Sequence, residues 1–255
     1  MIEITLKPRR KPTWFTRLRP RQRVLAVFAF RYDAHLVPDL IANISPLVDG
    51  WVSLDDRSNP AAMSTDPARR LPLIEAAHQA GANWILAVDP DERFENDAAR
   101  RMAELTAIRR QIVWGFNLRE MYTPERYRID GIWGRKMQYR LFPVSDELFR
   151  ARARGRFSHN AFHVPWHPSG YKLKNSGLNL YHLKMIDPNR RRWRRDLYNA
   201  LDPERKYQKI GYDYLADEDD AQFETIPQGR EYRPPHIDDG GLWMAETLPT
   251  NAARE

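Results

Sequence analysis

The sequence predicts an α/β protein built on a Rossmann-like, mostly parallel central sheet flanked by helices, and three observations carry that expectation. Apolar runs at Val24 to Phe30, Trp51 to Leu54 and Trp84 to Val88 are too short for ordinary helices and suit strands, the first and third buried on both faces. Two stretches with helical character lie between them, Leu36 to Val48 and Pro67 to Ala80. The connections are a few residues long, and strand–helix–strand units of that kind close into a right-handed parallel sheet.

In order along the chain, residues 1–23 read as a basic arm in which Arg9, Arg10, Lys11, Arg17, Arg19, Arg21 and Arg23 surround Trp14 and Phe15. Such an arm suits acidic lipid headgroups or another polyanion, and equally a poorly ordered extension. The first strand, V-L-A-V-F-A-F, stops at Arg31. Leu36, Val37, Leu40, Ile41, Ile44, Leu47 and Val48 then repeat with helical period. The next strand ends in Asp55-Asp56-Arg57-Ser58, and the second helix has Pro67 near its start and Gly81 just past its end. Trp84 to Val88 runs out into Asp89-Pro90-Asp91-Glu92. Ala98 to Arg110 reads as a helix and Ile112 to Met121 as a strand, after which the alternation fades. Lys136 to Phe142 is strand-like, and Leu178 to Leu183 is a short strand carrying His182. Asp187 to Ala200 is a helix rich in arginine, and the polar, Pro-rich tail from Gln222 is expected to drape over the surface.

With 255 residues, 42% hydrophobic and 29% charged, the chain has the balance of a soluble globular protein with a sizeable core. No apolar run approaches the roughly 18 residues of a membrane span, and Met1 to Arg23 lacks the apolar segment of a signal peptide, so a cytoplasmic location is expected. The absence of cysteine excludes disulfides and thiolate chemistry. A net charge of +7 favours an anionic partner: a nucleotide, a nucleic acid, an acidic glycan or an acidic membrane surface.

The chemistry concentrates at Asp89, Asp91 and Glu92. Three carboxylates at the exit of a buried strand cannot enter a core unpartnered, so they face either solvent, as a plain acidic turn, or a crevice. The crevice beyond the carboxyl ends of the strands is where open α/β sheets bind ligands, and Arg31, Asp55 and Asp89 close three strands on that rim. Hard oxygen donors converging there suit Mg²⁺ or Mn²⁺.

The stretches V-L-A-V-F-A-F-R, V-S-L-D-D-R-S, W-I-L-A-V-D-P-D-E-R, Y-R-L-F and L-Y-H, spread from about residue 24 to residue 185, resemble in order and spacing the family 2 glycosyltransferases of GT-A fold, in particular a bacterial Asp-x-Asp-Glu-Arg group. The resemblance implies a GT-A domain over 24–186, with a nucleotide-sugar half at 24–122 and an acceptor half at 123–186, and leaves 187–255 as a basic helical extension and polar tail. It implies a metal-dependent, inverting enzyme moving a sugar from a UDP-, GDP- or dTDP-sugar to a glycan, lipid-linked or protein acceptor, with peripheral contact to an acidic membrane surface through the basic segments.

Residue by residue, Asp55 matches a carboxylate that meets the nucleobase, while Asp56 reads as a second such group or a turn cap. Arg31 and Arg70 match positions beside the nucleotide, or are surface ion pairs. Asp91 matches the direct metal ligand, Asp89 the carboxylate meeting the ribose and the metal's waters, and His182 a third ligand. Glu92 falls on the acceptor side, together with an aromatic platform of Trp133, Trp166 and Tyr139, and Arg140 faces the diphosphate or an anionic acceptor. The catalytic base departs from the family pattern: F-S-H-N puts Asn160 where a carboxylate is expected, and an amide cannot take a proton. His159, His163 or Glu120 then serves as base, or catalysis is lost. The competing reading is a basic nucleic-acid-binding protein or a metal-dependent nucleotidyltransferase or nuclease, of which pure nucleic-acid binding leaves the acidic rim unexplained.

Overall fold

A computed structural model describes residues 1–8, 22–31, 33–58, 66–107, 111–146, 171–206 and 208–236. The strands are β1 (Ile2–Leu6), β2 (Val24–Phe30), β3 (Gly50–Asp55), β4 (Trp84–Ala87), β5 (Glu92–Phe94), β6 (Ile112–Glu120), β7 (Arg126–Arg128), β8 (Met137–Pro143), β9 (Lys172–His182) and β10 (Phe223–Thr225). The α-helices are α1 (Val37–Ile44), α2 (Asp66–Gln79), α3 (Ala98–Ala107) and α4 (Pro188–Leu201). Eight strands form one sheet in the order β1-β3-β2-β4-β8-β6-β9-β5, and β10 pairs with β7 in a separate ribbon. Strand β2 is parallel to β3 and β4, β6 is parallel to β9, and β8 runs against both β4 and β6. Strands β3, β2, β4, β6 and β9 therefore point the same way and end on one rim, while β1 and β5 run against their neighbours at the two edges.

Side chains alternate across a strand, so the continuous apolar run of β2 feeds two cores at once. Val24, Ala26 and Phe28 pack with Leu40, Ile44, Met102 and Phe116 on the face covered by α1 and α3. Leu25, Val27 and Ala29 pack with Leu73, Ile74 and Ala77 of α2 on the other.

Among the described residues, the sheet expected to be mostly parallel is mixed, with four of its seven strand pairings antiparallel, because β8 returns between β4 and β6 and both edge strands run against their neighbours. Three elements also differ from the sequence reading. Residues 2–6, assigned to the basic arm, form the edge strand β1, with Ile2, Ile4 and Leu6 in register with Leu54, Val52 and Gly50 of β3. The helix expected over 36–48 is regular only over Val37–Ile44, flanked by 3₁₀ turns at Ala34–Leu36 and Ser45–Leu47. Pro46 has no N–H for an intrahelical bond, which stops the α-helix there. Strand β9 begins six residues before the apolar Leu178, because its first half is polar and exposed and carries no buried pattern to read.

The tail is stitched down through residue 236. Tyr232 is buried, Asn43 Nδ2 donates to Phe94 O and Arg233 O, and Arg230 makes two bonds to the buried Glu95. Among the described residues no helix is long and apolar enough to cross a membrane.

Candidate active site

The site grows from the end of β4. Val88 still donates to Val27 O at 3.1 Å, after which the chain turns through Asp89-Pro90-Asp91 and the Glu92 N–H closes the turn on Asp89 O at 3.0 Å. Beneath the turn lies the fully buried Arg93, whose Nη1 donates to Pro90 O at 2.6 Å and Glu92 O at 2.8 Å and whose Nη2 donates to Leu36 O at 3.3 Å. These carbonyls lie outside the regular ladder, and the guanidinium fork supplies the donors that buried backbone oxygens need.

Glu92 is completely buried and in register with His182 of β9. Its carboxylate takes Arg140 in bidentate fashion, with Nε at 3.1 Å, and accepts the Asp89 N–H at 2.9 Å. Burial raises the Glu92 carboxyl above the usual range, against the pull of Arg140. Asp89 behaves oppositely. Burial acts to raise it, but Arg70 Nη2 at 2.5 Å and Arg140 Nη2 at 3.6 Å hold it down to about 2.

Glu120 closes β6 and is in register with His182, which closes β9. Its Oε2 lies 2.9 Å from His182 Nδ1, and its Oε1 lies 3.0 Å from Lys136 Nζ and 3.8 Å from Lys184 Nζ. These cations overcome burial and keep the Glu120 carboxyl well below the ordinary value. His182 turns its other nitrogen, Nε2, to Asp91 Oδ1 at 3.4 Å. Burial opposes the imidazolium, but Glu120 and Asp91 together raise His182 to about 9. Asp33, just past β2, accepts the Arg31 N–H at 2.9 Å, and burial reinforced by Asp91 and Asp89 raises it to about 7.

Asp33, Asp89, Asp91, Glu120 and His182 line a cavity of about 320 Å³, whose remaining wall includes Glu92, Lys136, Gln138, Arg140, Lys184, Arg194 and Tyr198. The donors fit a hard divalent cation. Two ligands sharing an octahedral ion at about 2.1 Å stand roughly 3 Å apart, close to the Asp91–His182 separation of 3.4 Å. A carboxylate behind a ligating imidazole, as Glu120 stands behind His182, is the usual support of such a ligand. Among the described residues no three acidic or histidine side chains enclose a point as they stand, so an ion held by Asp91 and His182 leaves positions for water and substrate oxygens.

Of the residues singled out from sequence, Asp89, Asp91, Glu92, Glu120, Arg140 and His182 line the cavity, and Arg70 stands directly behind Asp89. Arg31 and Asp55 do not line it. Arg31 is half-buried at the end of β2, and Asp55 is paired with Arg57 at 2.6 Å, which lowers its carboxyl. Asp56 is the more buried of the two and pairs with Arg69 at 3.1 Å.

Trp133 is no open acceptor platform. It is 3% exposed, with Lys136 Nζ 3.9 Å over its ring and Tyr214 at 5.5 Å. Glu120, a base candidate from the sequence, is engaged by His182, Lys136 and Lys184, which hold its carboxyl well below the usual range. His159, Asn160, His163 and Trp166 lie outside the described residues.

The basic helix α4 is turned partly inward. Arg194 and Tyr198 reach the cavity, while Arg191 is buried against Glu218 and lies 4.3 Å over the Tyr122 ring. Asp33, Lys136, Gln138, Lys184, Arg194 and Tyr198 were not foreseen. The only sequence signals were the position of Asp33 just past the first strand and the polar alternation K-M-Q-Y-R beginning at Lys136. No known protein family and no curated protein matches the chain.

Proposed function

We propose that the protein is a metal-dependent glycosyltransferase of GT-A type that transfers a sugar from a nucleoside diphosphate donor to a glycan, lipid-linked or protein acceptor. The observation that carries this reading is the line Glu120–His182–Asp91, with contacts of 2.9 and 3.4 Å, at the shared rim of five parallel strand ends. Asp91 and His182 would hold Mn²⁺ or Mg²⁺, with Glu120 at 2.9 Å from Nδ1 fixing the imidazole so that Nε2 faces Asp91. The bound ion supplies Lewis-acid stabilisation of the departing nucleoside diphosphate. Asp89 stays ionised beside it because Arg70 and Arg140 hold it so, and it accepts hydrogen bonds from ribose hydroxyls or metal-bound water. His159, His163 and Glu120 are the candidates for taking the proton of the acceptor hydroxyl.

The test is thermal unfolding of the wild type and Asp91→Asn with UDP, GDP or dTDP, each with and without Mn²⁺. A ligand that binds only the native state at about 100 times its Kd stabilises it by about 2.7 kcal/mol. A metal-dependent shift with one nucleotide, lost in Asp91→Asn, is the expected result. No shift with any nucleotide in the wild type sinks the donor-site reading.

A further inference from the structure

The cavity is electrically divided. On one side Asp89 and Glu92 are matched by Arg70 and Arg140. On the other, Glu120 is approached by Lys136, Lys184 and His182 within 3.8 Å, His182 also meets Asp91 at 3.4 Å, and Asp33 and Arg194 line the same cavity. Even with His182 neutral, two lysines face the one carboxylate of Glu120 in a partly dry site, where uncompensated charge is costly.

A second feature points the same way. Lys136, Gln138 and Arg140 recur at every second residue into and along β8, so they present one face, and all three line the cavity. Arg140 is only 2% exposed, and its Nη1 has no hydrogen-bond partner among the described residues. A buried guanidinium N–H without a partner, on a side chain that lines a cavity, fits an oxygen acceptor supplied by a ligand.

We infer that the row Lys136–Gln138–Arg140, together with Lys184, is an oxyanion site independent of the metal, and that the acceptor therefore carries a phosphate or carboxylate group. Naming the bound compound the acceptor rests on the glycosyltransferase reading, whereas the anion binding itself does not. The planar fork of Arg140 and the point charges of the two lysines match the oxygens of either group.

The experiment measures melting temperature against inorganic phosphate and against sodium glucuronate, with sodium chloride at matched ionic strength as reference. Wild type, Asp91→Asn and the surface control Lys209→Gln are expected to be stabilised by one anion without Mn²⁺. Lys136→Gln and Lys184→Gln are expected to bind it roughly tenfold more weakly, and Lys184→Arg to restore binding. The response is expected to persist with a saturating metal–nucleotide complex present. The anion that wins identifies the acceptor's charged group as a phosphate ester or an acidic sugar. Lack of response to both anions, equal binding by Lys184→Gln, or displacement by the metal–nucleotide overturns the inference. The unliganded melting temperatures show whether each variant is folded, and failure of the donor site registers separately as the missing Asp91-dependent nucleotide shift.

Discussion

Glu120 and His182 are in register across the parallel β6–β9 pair, with Oε2 2.9 Å from Nδ1, and this contact decides which imidazole nitrogen faces Asp91. Glu120→Gln keeps the shape but removes the charge, leaving Lys136 and Lys184 without their counter-ion. Losing such a supporting carboxylate typically weakens a metal site by about 10–100-fold. Titration of Mn²⁺ into the variant checks this, and wild-type affinity would show that Glu120 has no part in the site.

The His182 imidazolium sets a pH dependence. Its ordinary pKa of 6.5 rises to about 9 in the folded protein, so between those values the native state holds a proton that the unfolded chain has released. The contribution to stability is complete below about 6.5 and is lost as pH climbs through about 9. The metal-free melting temperature should fall over that window, and His182→Gln should flatten the profile. Mn²⁺ must displace the same proton, so its affinity should rise by up to roughly tenfold per pH unit until about pH 9.

Asp33 acts in the opposite sense to most carboxylates. Its pKa goes from 3.8 up to about 7, so folding becomes less favourable as pH rises through that range and the burden is complete above about 7. Asp33→Asn removes the like charge beside Asp91 and Asp89. Without metal the variant should melt above the wild type at pH 8 and lose that advantage near pH 4. A variant less stable than wild type at pH 8 contradicts the assignment.

Arg70 and Arg57 separate buried from exposed ion pairs. Arg70→Met leaves Asp89, 28% exposed at the cavity, without its 2.5 Å partner and with Arg140 at 3.6 Å as its remaining cation, so the loss should be clear but below the roughly 3–5 kcal/mol of a fully buried pair. Arg57 is 62% exposed, and Arg57→Ala should leave stability nearly unchanged. Chemical denaturation of the two variants distinguishes the cases.

The parallel strands β3, β2 and β4 and the acidic turn were legible because they rest on local pattern. The continuous apolar residues of β2 and β4 admit few structures other than doubly buried strands, and Asp89, Asp91 and Glu92 at such a strand's exit require charged partners. What stayed hidden depends on pairing between distant segments. Nothing near Glu120 in sequence announces that a register with β9 will set it against His182. Trp133 illustrates the same limit, since an aromatic residue beside charged neighbours reads alike whether it lies open or under Lys136 and Tyr214. The basic run of α4 likewise gave no sign that Arg191 is spent on Glu218 while Arg194 reaches the cavity.

The place of β9 has a consequence for synthesis. It lies between β6 and β5, both made well before it, and it brings the partner of Glu120, Asp91 and Glu92. A nascent chain that has emerged only through β8 holds its acidic turn with no imidazole to meet it, and edge β5 has no strand to pair with. Maturation therefore waits on a late insertion across a large sequence separation, a slow class of folding step. The cluster of Glu120, His182 and Asp91 is therefore complete only once residue 182 has been made and β9 has paired with β6 and β5.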